Sequence, residues 1–244
     1  TSVMRTTLIP NMLDVISTNI SHKVEEVSAF ECGNTFIPQE GLPIETKKYC
    51  VGMYGKEVDF FVLKGVIESV LNNVGLKGYE IEPETTNLTF HPGRCAKIVY
   101  NNIYIGTFGE LHPDVIENYN LGQRVYVAEI NIDTVFENLN LTKSYNPLPK
   151  YPSTSRDIAL IVKDEVFVKQ IEDIIKANGE DLVESYKLFD VYKGAQIEEG
   201  HKSIAYSITY RSKDKTLTDE DVAKVHEKIL SELSEKLNAN LRSN

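Results

Sequence analysis

Three prolines crowded into six residues, Pro147, Pro149 and Pro152, constrain this chain more than any other feature. Each lacks a backbone N–H and fixes φ. The stretch Asn146-Pro147-Leu148-Pro149-Lys150-Tyr151-Pro152 therefore sustains neither a helix nor a central strand and reads as a stiff, extended linker. The 244 residues fall into two parts, 1–146 and 147–244, each of ordinary domain size. The chain starts at Thr1 rather than at a methionine, and a segment of a larger protein is expected.

In the first part, Leu8, Met12, Leu13, Val15, Ile16 and Ile20 recur at helical spacing, with Pro10 in the early turn where its missing N–H costs nothing. Val27 to Phe36 is interrupted by Gly33-Asn34, which reads as a hairpin turn between two short strands. Tyr49 to Tyr54 reads as a strand. Asp59 to Val74 reads as an amphipathic helix, with Phe60, Leu63, Val66, Ile67, Val70 and Leu71 on one stripe and Gly75 as its stop. Asn101-Asn102 predicts a hairpin between alternating strands, followed by a short helix over Pro113 to Tyr119 and a strand over Arg124 to Ile132. The expectation is an antiparallel sheet with covering helices.

The second part alternates more cleanly. Strands are predicted over Arg156 to Lys163, Val183 to Tyr192 and Lys202 to Tyr210, with a loop over Lys193 to Gly200. A helix over Phe167 to Asn178 ends at Gly179. A second starts at a capping box of Thr218 and Asp221 and buries Val222, Val225, Ile229, Leu233 and Leu237. Ala239 to Arg242 completes the pattern as a short strand. The order βαββαβ is a ferredoxin-like sandwich, with both helices on one sheet face and the other face open.

The formal net charge is -10, which opposes non-specific nucleic-acid binding, since that depends on dense Lys and Arg contacts to phosphate. The acidity is uneven. From Pro147 onward there are 15 basic and 18 acidic residues, a balance of -3, which leaves -7 for the first part. No apolar run approaches the roughly 20 residues of a bilayer-spanning helix. Thr1 to Thr7 lacks the charged start and apolar core of a signal peptide. Cys32, Cys50 and Cys95 are isolated, each read as a small core hydrophobe, and a reducing cytoplasm fits them best.

Motifs for catalysis are missing. The sequence holds no Gly-rich phosphate loop, no H-E-x-x-H, no paired-cysteine zinc motif and no G-x-S-x-G. His22, His91, His112, His201 and His226 are scattered, and no carboxylate pair stands out as acid and base. Two stretches rise above this background. Phe90 to Arg94, with Ile105 to Pro113, reads either as turn chemistry or as the remnant of an adenylate-forming sheet. Lys187 to Gly194, with Glu199 to Ser203, gathers an aromatic ring, carboxylates, lysines and a hydroxyl around one hairpin. That hairpin either packs locally or offers stacking and edge bonding to splayed bases.

At these residues the chain resembles the C-terminal portion of the bacterial phenylalanine–tRNA ligase beta-subunit family. The resemblance covers essentially the whole chain. It is carried by Met4–Leu13 (M-R-T-T-L-I-P-N-M-L), Ala29–Phe36 (A-F-E-C-G-N-T-F), Asp59–Gly65 (D-F-F-V-L-K-G), His91–Ala96 (H-P-G-R-C-A) and Ile105–Pro113 (I-G-T-F-G-E-L-H-P). The second part adds Pro149–Leu160 (P-K-Y-P-S-T-S-R-D-I-A-L), Phe189–Gly194 (F-D-V-Y-K-G), Glu198–Ser203 (E-E-G-H-K-S) and Thr216–Val222 (T-L-T-D-E-D-V).

The resemblance implies an α+β chain. Residues 1–146 would form a catalytic-like but non-catalytic class II synthetase core module, and 147–244 a ferredoxin-fold anticodon-binding domain. It implies a segment that supports a catalytic alpha subunit within an (αβ)2 heterotetramer and binds tRNA(Phe). The holoenzyme, not this segment, would use ATP and Mg2+. The family's anticodon-reading positions fall on Asp190, Tyr192, Ser203 and Arg242. Tyr192 would stack on a base, Asp190 would accept from guanine N–H groups, Ser203 would bond the same base, and Arg242 would stack on or fork to a base or phosphate. Arg156, at the start of a strand, is expected to form an ion pair within the fold. Weak RNA affinity is expected of the segment alone. The alternatives are a ferredoxin-like module serving assembly only, or a stand-alone class II-like ligase.

Overall fold

The computed structural model describes residues 3–242 apart from 140, 143, 144, 146 and 195. The chain divides into two units, Thr1–Ser144 and Tyr145–Asn244. Of the expected linker, Asn146 lies outside the described residues, and 147–153 hold neither helix nor strand.

The first unit runs α1 (Ile9–Ser21), β1 (Val27–Ile37), β2 (Ile44–Tyr54), α2 (Phe60–Asn73), β3 (Glu80–Pro83), β4 (Phe90–Tyr100), β5 (Ile103–Leu111), α3 (Pro113–Asn118), β6 (Tyr126–Asn131) and α4 (Ile132–Glu137). Its strands form one antiparallel sheet in the order β1-β2-β6-β5-β4-β3. Both faces of the sheet centre are packed. Val51, Met53, Phe108, Ala128 and Ile130 meet Leu63, Ile67 and Leu71 of α2. The alternate residues Cys50, Tyr54, Cys95 and Val127 meet Met12, Leu13 and Ile16 of α1. This explains why the second half of β2, Cys50–Tyr54, carries no charged side chain, since a strand buried on both faces has no polar side to alternate with. The α2 stripe is as expected: Asp59 caps its first turn by accepting from the Val62 N–H at 2.8 Å, and Gly75, at φ +76°, ends it.

Four local expectations need correction. Gly33-Asn34 is not a turn, because β1 runs unbroken through it and pairs Gly33 with Lys48 and Asn34 with Lys47. Gly33 instead leaves room for the Arg5 guanidinium, which bonds Glu31 at 2.6 Å and the Asn34 carbonyl at 3.1 Å. The chain reverses instead over residues 38–43, beyond Ile37. Gly106 and Gly109 lie inside β5 and take no part in a turn. A Cβ at Gly109 would meet the Arg94 carbonyl oxygen at 2.5 Å and Cys95 Cα at 2.8 Å, so β4 can cross there only over a bare backbone. Strand β3 and helix α4 have sequence signals too short to stand out. Cys32 is exposed rather than core; Cys50 and Cys95 are buried, which pushes both thiols up, Cys95 to about 12.

Other signals are met. Asn101 and Asn102, at φ +48° and +64°, form the left-handed pair a tight hairpin requires. His112 caps α3 ahead of Pro113. In the β4–β5 pair, the side chain of Glu110 is 5% exposed and is held by Arg94 through two bonds of 2.6 and 2.8 Å.

The second unit runs β7 (Thr154–Lys163), α5 (Val168–Asn178), β8 (Val183–Tyr192), β9 (His201–Tyr210), α6 (Asp219–Leu237) and β10 (Asn240–Leu241). Its antiparallel sheet has the order β10-β7-β9-β8, the ferredoxin-like arrangement expected. Ile158, Leu160, Val162, Ile204, Tyr206, Ile208 and Tyr210 face Ile171 and Ile175 of α5 and Val222, Val225, Ile229 and Leu233 of α6. Two core tyrosines find partners for their hydroxyls: Tyr206 donates to Glu172 at 3.2 Å, and Tyr210 lies 2.9 Å from His226 Nδ1. Thr218 and Asp221 form the reciprocal capping box at 3.1 and 3.2 Å. Asn238, left-handed at φ +51°, ends α6 and turns the chain into β10. Arg156 pairs with Asp219 at 2.8 Å, as expected.

Candidate nucleic-acid interface

With both helices on one side, the other face of the second sheet carries no helix. Along β9 this face presents Ser203, Ala205, Ser207 and Thr209, which alternate with the core residues Ile204, Tyr206, Ile208 and Tyr210. The register assigns their neighbours: Ile161 and Ala159 from β7, and Tyr192 and Asp190 from β8.

Asp190 and Tyr192 reach this face through an irregularity. Tyr186 and Leu188 pack against the core. Strict alternation would send Asp190 and Tyr192 the same way. Between Leu188 and Asp190 the register shifts: Leu188 pairs with Tyr206, and Asp190 with the next residue, Ala205. Phe189 is the unpaired extra residue, a bulge on an edge strand. It inverts the phase of β8, so Asp190 and Tyr192 stand beside Ala205 and Ser203 on the helix-free face.

Arg242 arrives from the opposite edge. Its backbone N–H donates to the Ala159 carbonyl at 2.9 Å, which extends the β10–β7 pairing by one step. Its guanidinium carbon lies 5.6 Å from the centre of the Tyr192 ring, within reach of a cation–π contact. Its Nη2 donates to the Gln196 side-chain oxygen at 3.0 Å. The ring is also backed by Gly194: a side chain there would collide with the Tyr192 hydroxyl and meet the adjacent ring carbon at 2.6 Å. Gly194 is not among the glycines with left-handed φ, so what it supplies is room rather than backbone freedom.

All four residues singled out in the sequence thus belong to one face. Tyr192 and Arg242 are in contact, and Asp190 is exposed two residues before Tyr192. Ser203 differs. It is only 3% exposed, set between Ile161 and Tyr192, so a base reaches its hydroxyl only when neighbouring side chains part. Sequence reasoning missed Gln196, because its link to Arg242 spans 46 residues and leaves no trace in local periodicity. Ala195, in the same loop, lies outside the described residues.

The charges around this end of the sheet are mixed. Lys193 pairs with Asp164 at 2.8 Å, and Lys202 donates to the Asp164 carbonyl at 2.8 Å. Burial, with Lys193 adding to it, pushes the Lys202 ammonium below its ordinary range. Among the described residues, no group of three or more His, Cys, Asp or Glu side chains could hold a metal. An aromatic face with an adjoining guanidinium and an exposed carboxylate is suited to stacking and hydrogen-bonding an unpaired base, not to bond-making chemistry.

Comparison with known proteins gives two family matches. The model of the phenylalanyl tRNA synthetase beta chain CLM domain matches residues 1–132, and that of the ferredoxin-fold anticodon binding domain matches residues 149–242. The phenylalanine–tRNA ligase beta subunit of Clostridium tetani is 46% identical, over 99% of this chain and 31% of its own length. That of Clostridium acetobutylicum is 45% identical with the same coverage. The chain thus spans about a third of the length of these relatives. Among solved structures, a pyrrolysyl tRNA synthetase of Desulfitobacterium hafniense aligns with a TM-score of 0.46 at 13% identity, covering 54% of this chain and 48% of that one.

Proposed function

Since the chain belongs to the phenylalanyl tRNA synthetase beta chain family, we propose that its second unit reads the anticodon of tRNA(Phe) while its first supports a catalytic alpha subunit. Amino-acid activation with ATP and Mg2+ resides in that partner, within an (αβ)2 ligase of the cytoplasm. The segment covered by 1–146 is a non-catalytic core module, and 147–244 is the anticodon-binding domain. The observation that carries this reading is the Tyr192–Arg242 contact on the helix-free sheet face, with Asp190 beside it.

Each residue has a physical task. Tyr192 stacks on an anticodon base, an interaction of about 1–3 kcal/mol. Asp190, an exposed acceptor, takes the N–H edge of a guanine. Arg242 contributes charge to a phosphate or lies over a second base. Ser203, paired across the strands with Tyr192, bonds the same base. The packing of the first sheet on both faces supports a scaffold role, because side chains fill the surfaces on which a small substrate would lie.

The test is Tyr192→Ala in the assembled ligase. Aminoacylation efficiency with tRNA should fall at least about fivefold, the equivalent of about 1 kcal/mol of lost stacking. Phenylalanine-dependent ATP–pyrophosphate exchange should stay unchanged. Equal loss of both activities would remove the reading role.

A further inference from the structure

The loop that follows β8 meets Arg242 at Gln196, and the acceptor there is a neutral carboxamide, although the same loop offers Glu198 and Glu199. Other arginines of this unit are matched by carboxylates: Arg156 by Asp219 and Arg211 by Glu184, each at 2.8 Å. A carboxylate at position 196 would grip the guanidinium harder but cancel its charge. A carboxamide fixes its direction and leaves the charge for another partner.

Resting on the reading of Tyr192 and Arg242 as RNA contacts, we infer that Gln196 is a positioning residue: it holds the Arg242 guanidinium across the Tyr192 ring as a preassembled platform whose positive charge stays available to the RNA backbone. Arginine has many rotamers to lose on binding, and a side chain already ordered in the free protein loses fewer of them. Gly194 leaves the room that the ring occupies and Gln196 holds the guanidinium, so both halves of the platform depend on one loop.

The test uses the ligase assembled from the full-length beta chain and its alpha subunit, with Gln196→Ala, Gln196→Glu and Tyr192→Ala compared. Gln196→Ala should raise the KM for tRNA about threefold, the size of one exposed cation–π contact, with kcat and ATP–pyrophosphate exchange unchanged. Gln196→Glu should keep the guanidinium in place yet flatten the dependence of log Kd on log salt by about 0.7, one single-stranded phosphate contact. Equal KM effects of the two Gln196 variants with an unaltered salt slope would mark a merely structural loop residue and overturn the inference. So would a wild-type KM for Gln196→Ala when Tyr192→Ala raises it, and in that case the platform itself stands. A wild-type KM for Tyr192→Ala as well would bring down the platform and this inference together.

Discussion

Replacing Gly194 by alanine should separate RNA binding from folding, because the added methyl group has one main obstacle, the ring of Tyr192. The new Cβ would sit 2.6 Å from a ring carbon, against an ordinary contact of about 3.5–4.0 Å, so the ring must retreat by about 1 Å. Tyr192 is a half-buried side chain at the end of an edge strand and is not part of the core beneath the helices. The backbone at 194 is outside the left-handed region. Alanine there gains about 0.4–1 kcal/mol by restricting the unfolded chain, which offsets the cost of moving the ring. The net change in stability should stay within about 0.5 kcal/mol of zero. Binding should respond otherwise. A base stacked on a displaced ring that no longer lines up with Arg242 loses about half of the usual stacking energy, about 1 kcal/mol, or about fivefold in Kd. Thermal denaturation and tRNA titration at one fixed salt concentration, on the same ligase preparation, measure both quantities. Wild-type affinity in a stable Gly194→Ala protein would refute the idea that ring position matters. A loss of affinity that merely tracked a loss of stability would refute the idea that Gly194 acts locally.

Three further outcomes follow from the packing. Gly109→Ala should destabilise the first unit by about 1–3 kcal/mol, since its Cβ meets backbone atoms of β4 that cannot swing away; denaturant unfolding measures it. Burial alone would raise the Glu110 carboxyl, but bonding to Arg94 and the charges of Arg94, Arg124 and His91 outweigh it and hold it below the ordinary value of 4.5. The stability this gives is complete above pH 4.5 and is lost as pH falls through the lower folded value, so Glu110→Gln should cost about 1–2 kcal/mol at neutral pH and flatten the acid limb of the stability profile. His226 is pushed below 6.5 by burial and then by Arg156, so it folds neutral. The second unit should be fully stable above pH 6.5 and weaken as pH drops from there toward the folded value, a dependence that His226→Gln should remove from calorimetric scans.

The second unit was legible almost strand by strand, because the core residues of β7 and β9 recur at every second position, and because α6 announces itself with Thr218 and Asp221. The first was harder for physical reasons. A strand segment packed on both sides, such as Cys50–Tyr54 of β2, has no alternation to read, and Gly33 lies beside a crossing arginine rather than in a turn. The site was visible as residue types and motifs around Asp190 and Tyr192. Its assembly was not, for Arg242, Gln196 and Tyr192 meet only through the tertiary fold.

The extra residue at Phe189 changes the parity of β8 a second time, after the shift between Val183 and Ser185, and the proposed RNA face depends on the parity that follows it. Removing that residue alone would restore a regular ladder between Leu188 and Asp190 and keep Asp190 opposite Ala205 and Tyr192 opposite Ser203, still on the helix-free face. An edge strand usually forgives changes of length, and here a one-codon deletion takes out the bulge while the surface after it keeps its orientation. In-frame loss at position 189 is therefore expected to spare tRNA affinity, whereas loss of the regularly paired Val191 would turn Tyr192 toward the helices and abolish its contact.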